Sequence, residues 1–281
     1  PPSAPGWPSR PDRSGPMELE LDSWDVPGDS RRGVHWGEGI SFSPRGSDSP
    51  TVFFRFYEWN VFGFARDSIH SHADKSQAAL LACHPNGGEA EITYPAHDVD
   101  LFATAATGAV DLSVRIRNRT GRDWPAVAGF VPCLNPGRDR RDDPITPAFY
   151  DASHEHSYFA GESGLENLEG RNRHLLTSAT DAIDDHRPPG GFPDEAPWYE
   201  VSDRDAVDPV VIRESDDGEW VTGCGFEDAL WVQGHNPWNC LHLCVRAGPI
   251  DAGEIAELRG RLYLQRGDRE DLLERYRSDF S

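Results

Sequence analysis

Apolar and polar residues alternate along much of this chain, and a period of two marks a strand with one face buried. The cleanest case is residues 110–117. Val110, Leu112, Val114 and Ile116 point one way, and Asp111, Ser113, Arg115 and Arg117 the other. Asn118-Arg119-Thr120-Gly121-Arg122-Asp123 then supplies turn chemistry, and residues 126–134 read as the return strand. The aromatic-rich stretch 51–59 predicts an earlier half-buried strand. Further strands are predicted at 89–94, 209–214, 219–226, 241–246 and 255–265, with Asp216-Asp217-Gly218 as a hairpin turn between two of them.

Helical spacing shows in only two places. Residues 162–178 predict a short helix around 165–168. After Asp268, a residue suited to an N-cap, Leu272, Leu273 and Tyr276 recur at helical spacing, which predicts a helix over 268–280. The Pro/Gly-rich stretch 186–193 reads as a long loop. No repeat and no shift of composition divides the chain. The pattern therefore predicts an all-β fold, a large antiparallel β-sandwich forming one domain over 17–281, with a short C-terminal helix. Residues 1–16, rich in Pro, Ser, Gly and Arg, read as a disordered tail without the apolar stretch of a signal peptide. Met17, the only methionine, reads as the natural start.

Composition narrows the partners. The formal net charge is -21, which repels phosphate and argues against nucleic acid and anionic membrane surfaces. No apolar run approaches the ~20 residues of a membrane span. Lys75 is the only lysine among abundant carboxylates. That balance resembles the acidic proteome of extreme halophiles, in which a carboxylate-rich surface stays hydrated at high salt; a genome favouring arginine codons is the alternative. Five cysteines, an odd count with no CxxC, argue against a disulfide framework and a structural zinc site. They read as buried free thiols, which suits a cytoplasmic location.

The densest chemistry lies in residues 234–242. His235, Asn236, Trp238, Asn239 and His242 put two imidazoles, two amides and an indole in nine residues, just after Trp231. An indole offers a face to an apolar sugar ring, and amides and imidazoles bond to hydroxyls. Elsewhere, His70 and His72 share a face if extended, as do His154 and His156, and such pairs suit acid–base work or metal ligation. Glu227, after the strand 219–226, is a candidate carboxylate partner. Arg55 and Trp59 share a face of a regular early strand. His154 and His156 read equally well as surface loop residues, and most tryptophans are packing residues. No phosphate loop, Gly-x-Ser-x-Gly or His-Glu-x-x-His is present.

The run Val110 to Asn118, then Trp124-Pro125 and Gly129-Phe130-Val131-Pro132-Cys133-Leu134-Asn135, resembles the galactose-mutarotase-like (aldose 1-epimerase) superfamily, as does Ile250-Asp251-Ala252-Gly253-Glu254 before the closing strand. The resemblance covers about a third of the chain. It implies a β-supersandwich whose concave face holds a sugar. Val131 stands where the family carries a catalytic histidine. Cys240-Leu241-His242-Leu243-Cys244 stands where a late glutamate is expected.

Together these readings point to a carbohydrate-active enzyme of epimerase, lyase or hydrolase type. His72, His235, His242 and Glu227 are the catalytic candidates. Arg55, Trp59, His70, Trp231, Asn236 and Trp238 are the substrate-binding candidates. No cofactor is called for. Two other classes stand beside this one: a non-catalytic carbohydrate-binding sandwich, and an enzyme using a divalent metal held by the His-x-His pairs.

Overall fold

The computed structural model describes residues 17–23, 39–47, 50–62, 69–71, 78–136, 149, 151, 153–168, 172–187, 200–235 and 239–281. Its strands are β1 (Leu19–Ser23), β2 (Gly39–Pro44), β3 (Val52–Val61), β4 (Ile69–Ser71), β5 (Ala78–His84), β6 (Gly87–Thr93), β7 (His97–Ala106), β8 (Ala109–Asn118) and β9 (Gly129–Asn135). They continue as β10 (Ser157–Gly161), β11 (Gly164–Asn167), β12 (Arg173–Leu175), β13 (Val210–Glu214), β14 (Trp220–Phe226), β15 (Ala229–His235), β16 (Cys240–Arg246) and β17 (Ile255–Arg266). Helix α1 is Thr180–Asp185 and α2 is Arg269–Asp279.

The strands form two antiparallel sheets. The eight-stranded sheet runs β1-β2-β3-β9-β16-β15-β12, with β4 also on β3. The nine-stranded sheet runs β11-β10-β13-β14-β17-β8-β7-β6-β5. This is the antiparallel β-sandwich with a short C-terminal helix that the alternation predicts. Val110, Leu112, Val114 and Ile116 are buried in the main core together with Phe54, Leu134, Leu241 and Val232 from the first sheet. The turn after β8 is tied by Asn118. Its Nδ2 donates to the Arg122 carbonyl at 2.8 Å, and its Oδ1 accepts from the Thr120 amide at 2.9 Å.

Helix α2 is capped as expected: the Asp268 carboxylate accepts from the Asp271 amide at 2.9 Å. Leu272, Leu273 and Tyr276 pack into a second apolar cluster with Val210, Ile212 and Val221 on the outer side of the nine-stranded sheet. The helix predicted around 165–168 is corrected to a strand. Residues 164–167 form β11, paired back on β10 with Leu165 opposite Ala160. Gly164, at φ 118°, closes the hairpin in a conformation that favours glycine. A helical turn falls later, at α1, where Asp181 lies in the first turn and complements the helix dipole. The reading of residues 1–16 lies outside the described residues. No helix among the described residues is long and apolar enough to cross a membrane.

Candidate functional site

Strand β9 is buried along its whole length and β16 along all but its last residue, so the middle of the eight-stranded sheet is covered on both faces. Such strands are expected to be apolar throughout. Here they are not. Arg55 on β3 stands opposite Cys133 on β9, Cys133 opposite His242 on β16, His242 opposite Gln233 on β15, and Gln233 opposite Arg173 on β12. Residues directly opposite one another project to the same face. The five therefore make a straight polar row across five strands, and none is more than 2% exposed. Burying polar and charged groups is costly unless they are held by partners, so a row of them marks a candidate site.

A bulge completes the row. Arg55 pairs with Cys133 and Trp59 with Val131, so four steps along β3 answer two along β9. The extra residues break the alternation and turn Glu58 toward the row. Its Oε2 lies 2.8 Å from His242 Nε2, and its Oε1 lies 4.0 Å from Arg55 Nη1. The Glu58 side chain is 14% exposed and that of His242 only 2%, so Glu58 is the member of the pair that reaches the surface. Burial opposes charge on His242, but Glu58 and Cys240 outweigh it and raise its pKa to about 9.

Cys240 lies two residues before His242 on the same strand and hence on the same face. The ligating atoms of Cys133, Cys240 and His242 all lie within 4.8 Å of one another. Cys133 donates to Cys240, which holds the Cys133 thiol protonated. The same bond, with His242 beside it, makes Cys240 the more easily ionised of the two. Trp231, on the same face two residues before Gln233, carries the Arg173 guanidinium 4.9 Å above its ring.

A second buried polar cluster adjoins the first. Asn135 Nδ2 lies 3.8 Å from Cys240 Sγ, and its Oδ1 accepts from Asn239 Nδ2 at 3.3 Å. Asn239, at φ 59°, also accepts from Arg213 Nη1 and from the Asp151 amide, both at 2.7 Å. Arg213 is fully buried, and its Nε donates to Ser157 Oγ at 2.6 Å. His154 Nδ1 is 3.0 Å from Arg213 Nη2, and Asp151 Oδ2 is 3.7 Å from its Nε. Burial pushes Arg213 down to about 10, with Asp151 opposing. Burial likewise raises Asp151, but Arg213, the His156 amide and Ser153 outweigh it and hold the carboxyl below its usual range.

The structure sorts the sequence candidates. Arg55 and His242 stand in the row. Glu227 does not: it lies at the β14–β15 turn, where its Oε2 is 3.0 Å from Arg259 Nε and its Oε1 accepts from the Arg259 amide. It is a surface ion-pair residue, and Glu58 is the carboxylate that reaches a histidine. Trp231 is completely buried, and its ring face is taken by Arg173 rather than open to a sugar. Trp59 lies opposite Val131 and Ser71, His70 opposite Asn60, and His235 opposite Cys240. His72, Asn236 and Trp238 fall outside the described residues. His154, weighed as a surface residue, is 1% exposed. Cys133, Glu58, Gln233 and Arg173 carried no sequence signal as a group. The one visible cue was a carboxylate inside an aromatic strand, three residues after an arginine.

No protein-family model matches this chain, and no curated protein matches it. Solved structures do. The chain is similar to a galactose mutarotase related enzyme from Lactobacillus acidophilus, at 10% identity over 91% of this chain and 97% of that one, with a TM-score of 0.43. It is similar to the Slr1438 protein of Synechocystis sp. PCC 6803, at 10% identity over 90% and 97%, with a TM-score of 0.42. It is also similar to a polysaccharide lyase, at 8% identity over 94% of this chain and 34% of that one, with a TM-score of 0.41.

Proposed function

We propose that this chain is a carbohydrate-active enzyme whose site is the polar row of the eight-stranded sheet, and that it moves protons on a sugar or sugar acid. One observation carries the reading: Glu58, set by a bulge, lies 2.8 Å from the ring nitrogen of a buried histidine and reaches the surface beside Arg55. Glu58 is the proton-transferring group, and His242 holds it in place from below. Arg55 and Arg173 give the row a cationic character suited to a carboxylate or to the oxygen-rich edge of a sugar. Positioned acid–base catalysis contributes about 10²–10⁴-fold in rate.

The test is proton NMR of a panel of aldoses, uronic acids and short oligosaccharides in D₂O with the full chain. Faster anomer exchange, deuterium incorporation at carbon, or a new unsaturated product supports the reading, provided Glu58→Gln abolishes it. Binding of panel sugars with no turnover in either form would overturn the catalytic reading. It would favour the non-catalytic binding sandwich, which has its own support in the apolar Val131.

A further inference from the structure

We infer that Cys133, Cys240 and His242 form a three-ligand zinc site in the middle of the polar row. The three ligating atoms lie within 4.8 Å of one another on one face of two paired strands, and all three residues are buried. Zinc–sulfur bonds of about 2.3 Å and zinc–nitrogen bonds of about 2.0–2.1 Å give tetrahedral edges of roughly 3.5–3.8 Å. Small side-chain rotations bring the three atoms to that spacing.

The donor set selects the metal. Two thiolates and an imidazole suit a thiophilic ion and suit magnesium or calcium poorly. Three protein ligands, rather than four, are the pattern of a zinc ion that keeps a position for water or substrate. The two thiols and the protonated His242 ring each lose a proton to solvent as the ion binds. Two thiolates, one Zn²⁺ and a neutral imidazole then sum to no net charge, which is the combination a buried pocket tolerates best.

Glu58 supplies what metal-bound histidines regularly have. A ligating imidazole usually gives its other ring nitrogen to a carboxylate, which orients the ring and raises its basicity. Glu58 Oε2 lies 2.8 Å from Nε2, and the ion would take Nδ1. Sequence spacing hides such a site. No CxxC is present because the cysteines are brought together by pairing of β9 with β16, not by neighbourhood in the chain. The inference rests on the row being the working site and deepens that reading: a sugar hydroxyl or carbonyl oxygen takes the open position, and Glu58 remains the proton carrier.

The experiment uses the full chain, expressed without an affinity tag in zinc-supplemented medium and dialysed against metal-free buffer. Elemental analysis is expected to show one zinc per chain. That zinc is lost in Cys133→Ser and in Cys240→Ser and kept in Cys224→Ser, which removes a buried thiol outside the row. Replacement of zinc by Co²⁺ in the unmutated protein is expected to give a thiolate-to-cobalt charge-transfer band in the near ultraviolet. This second readout does not depend on any variant folding. Substoichiometric zinc with no such cobalt band would overturn the site, as would zinc retained in the Cys133→Ser/Cys240→Ser double variant. Zinc bound without sugar turnover leaves this site standing and removes the enzymatic reading. Sugar turnover by protein free of metal removes the site and leaves the enzymatic reading.

Discussion

Substituting Asp151 by Asn tests how the second buried cluster is held. The carboxylate accepts from the His156 amide at 2.7 Å, the Glu155 amide at 3.1 Å and Ser153 Oγ at 2.9 Å, and it faces the buried Arg213 guanidinium at 3.7 Å. Asn keeps the volume. It removes the countercharge, however, and sets an NH₂ against groups that are themselves donors. Breaking a buried ion pair from one side costs about 3–5 kcal/mol. Because Asn still accepts at one oxygen and Arg213 keeps Ser157, Asn239 and the Phe149 carbonyl, the expected cost is at the lower end, about 3 kcal/mol. In urea unfolding followed by tryptophan fluorescence that is a midpoint shift of about 1 M. Arg213→Met in the Asp151→Asn background should cost less than in the unmutated protein, by about 2 kcal/mol, since the two charges are coupled. Acid dependence gives an independent check. The folded carboxyl titrates below its unfolded value of about 3.9. Its contribution is therefore present above that pH and is lost as pH falls through the lower folded value. Asp151→Asn should lack this part of the acid slope. A cost under about 1 kcal/mol, strictly additive costs in the double variant, or an unchanged acid slope would refute the reasoning.

Three further outcomes are expected. Glu58→Gln should lower turnover on any substrate found by about 10²-fold or more, while Glu227→Gln leaves steady-state kinetics unchanged, since Glu227 only pairs with Arg259 at the surface. At Gly225 an added Cβ would lie 2.5 Å from the Tyr276 ring, so Gly225→Ala should lift α2, strain the 2.8 Å bond from Tyr276 Oη to the Phe226 carbonyl, and cost about 2 kcal/mol in denaturant unfolding. Loss of the helix cap in Asp268→Ala should cost about 1 kcal/mol, with hydrogen exchange rising first at the start of α2.

The fold and the site were legible to very different degrees. The strand pattern at 110–117, the turn at Asn118 and the Asp268-capped helix were all readable, since each depends on neighbours in the chain. The segment around Leu165 was misread because four residues of apolar spacing suit a helix and a short strand equally, and only pairing with β10 separates them. Arg55 and His242 were singled out as residue types, but their relation was invisible. Glu227 stands out in the sequence as a carboxylate at the end of a strand, whereas Glu58 does the reaching. All five cysteines read as buried free thiols, although a spacing of four places Cys240 and Cys244, with His242, on one face of a strand.

Alternation of period two, turn residues and a helix cap are local rules, so the chain alone specified an antiparallel β-sandwich with a short closing helix. Which face each strand offers to which partner is not local. The row Arg55, Cys133, His242, Gln233 and Arg173 exists only because five strands, of which only β15 and β16 are neighbours in the chain, pair in one register, and a shift of one residue would turn any of them to the other face. The bulge in β3 is the decisive step. It is set by the pairing of β3 with β9, and without it Glu58 would alternate away from the row instead of meeting His242.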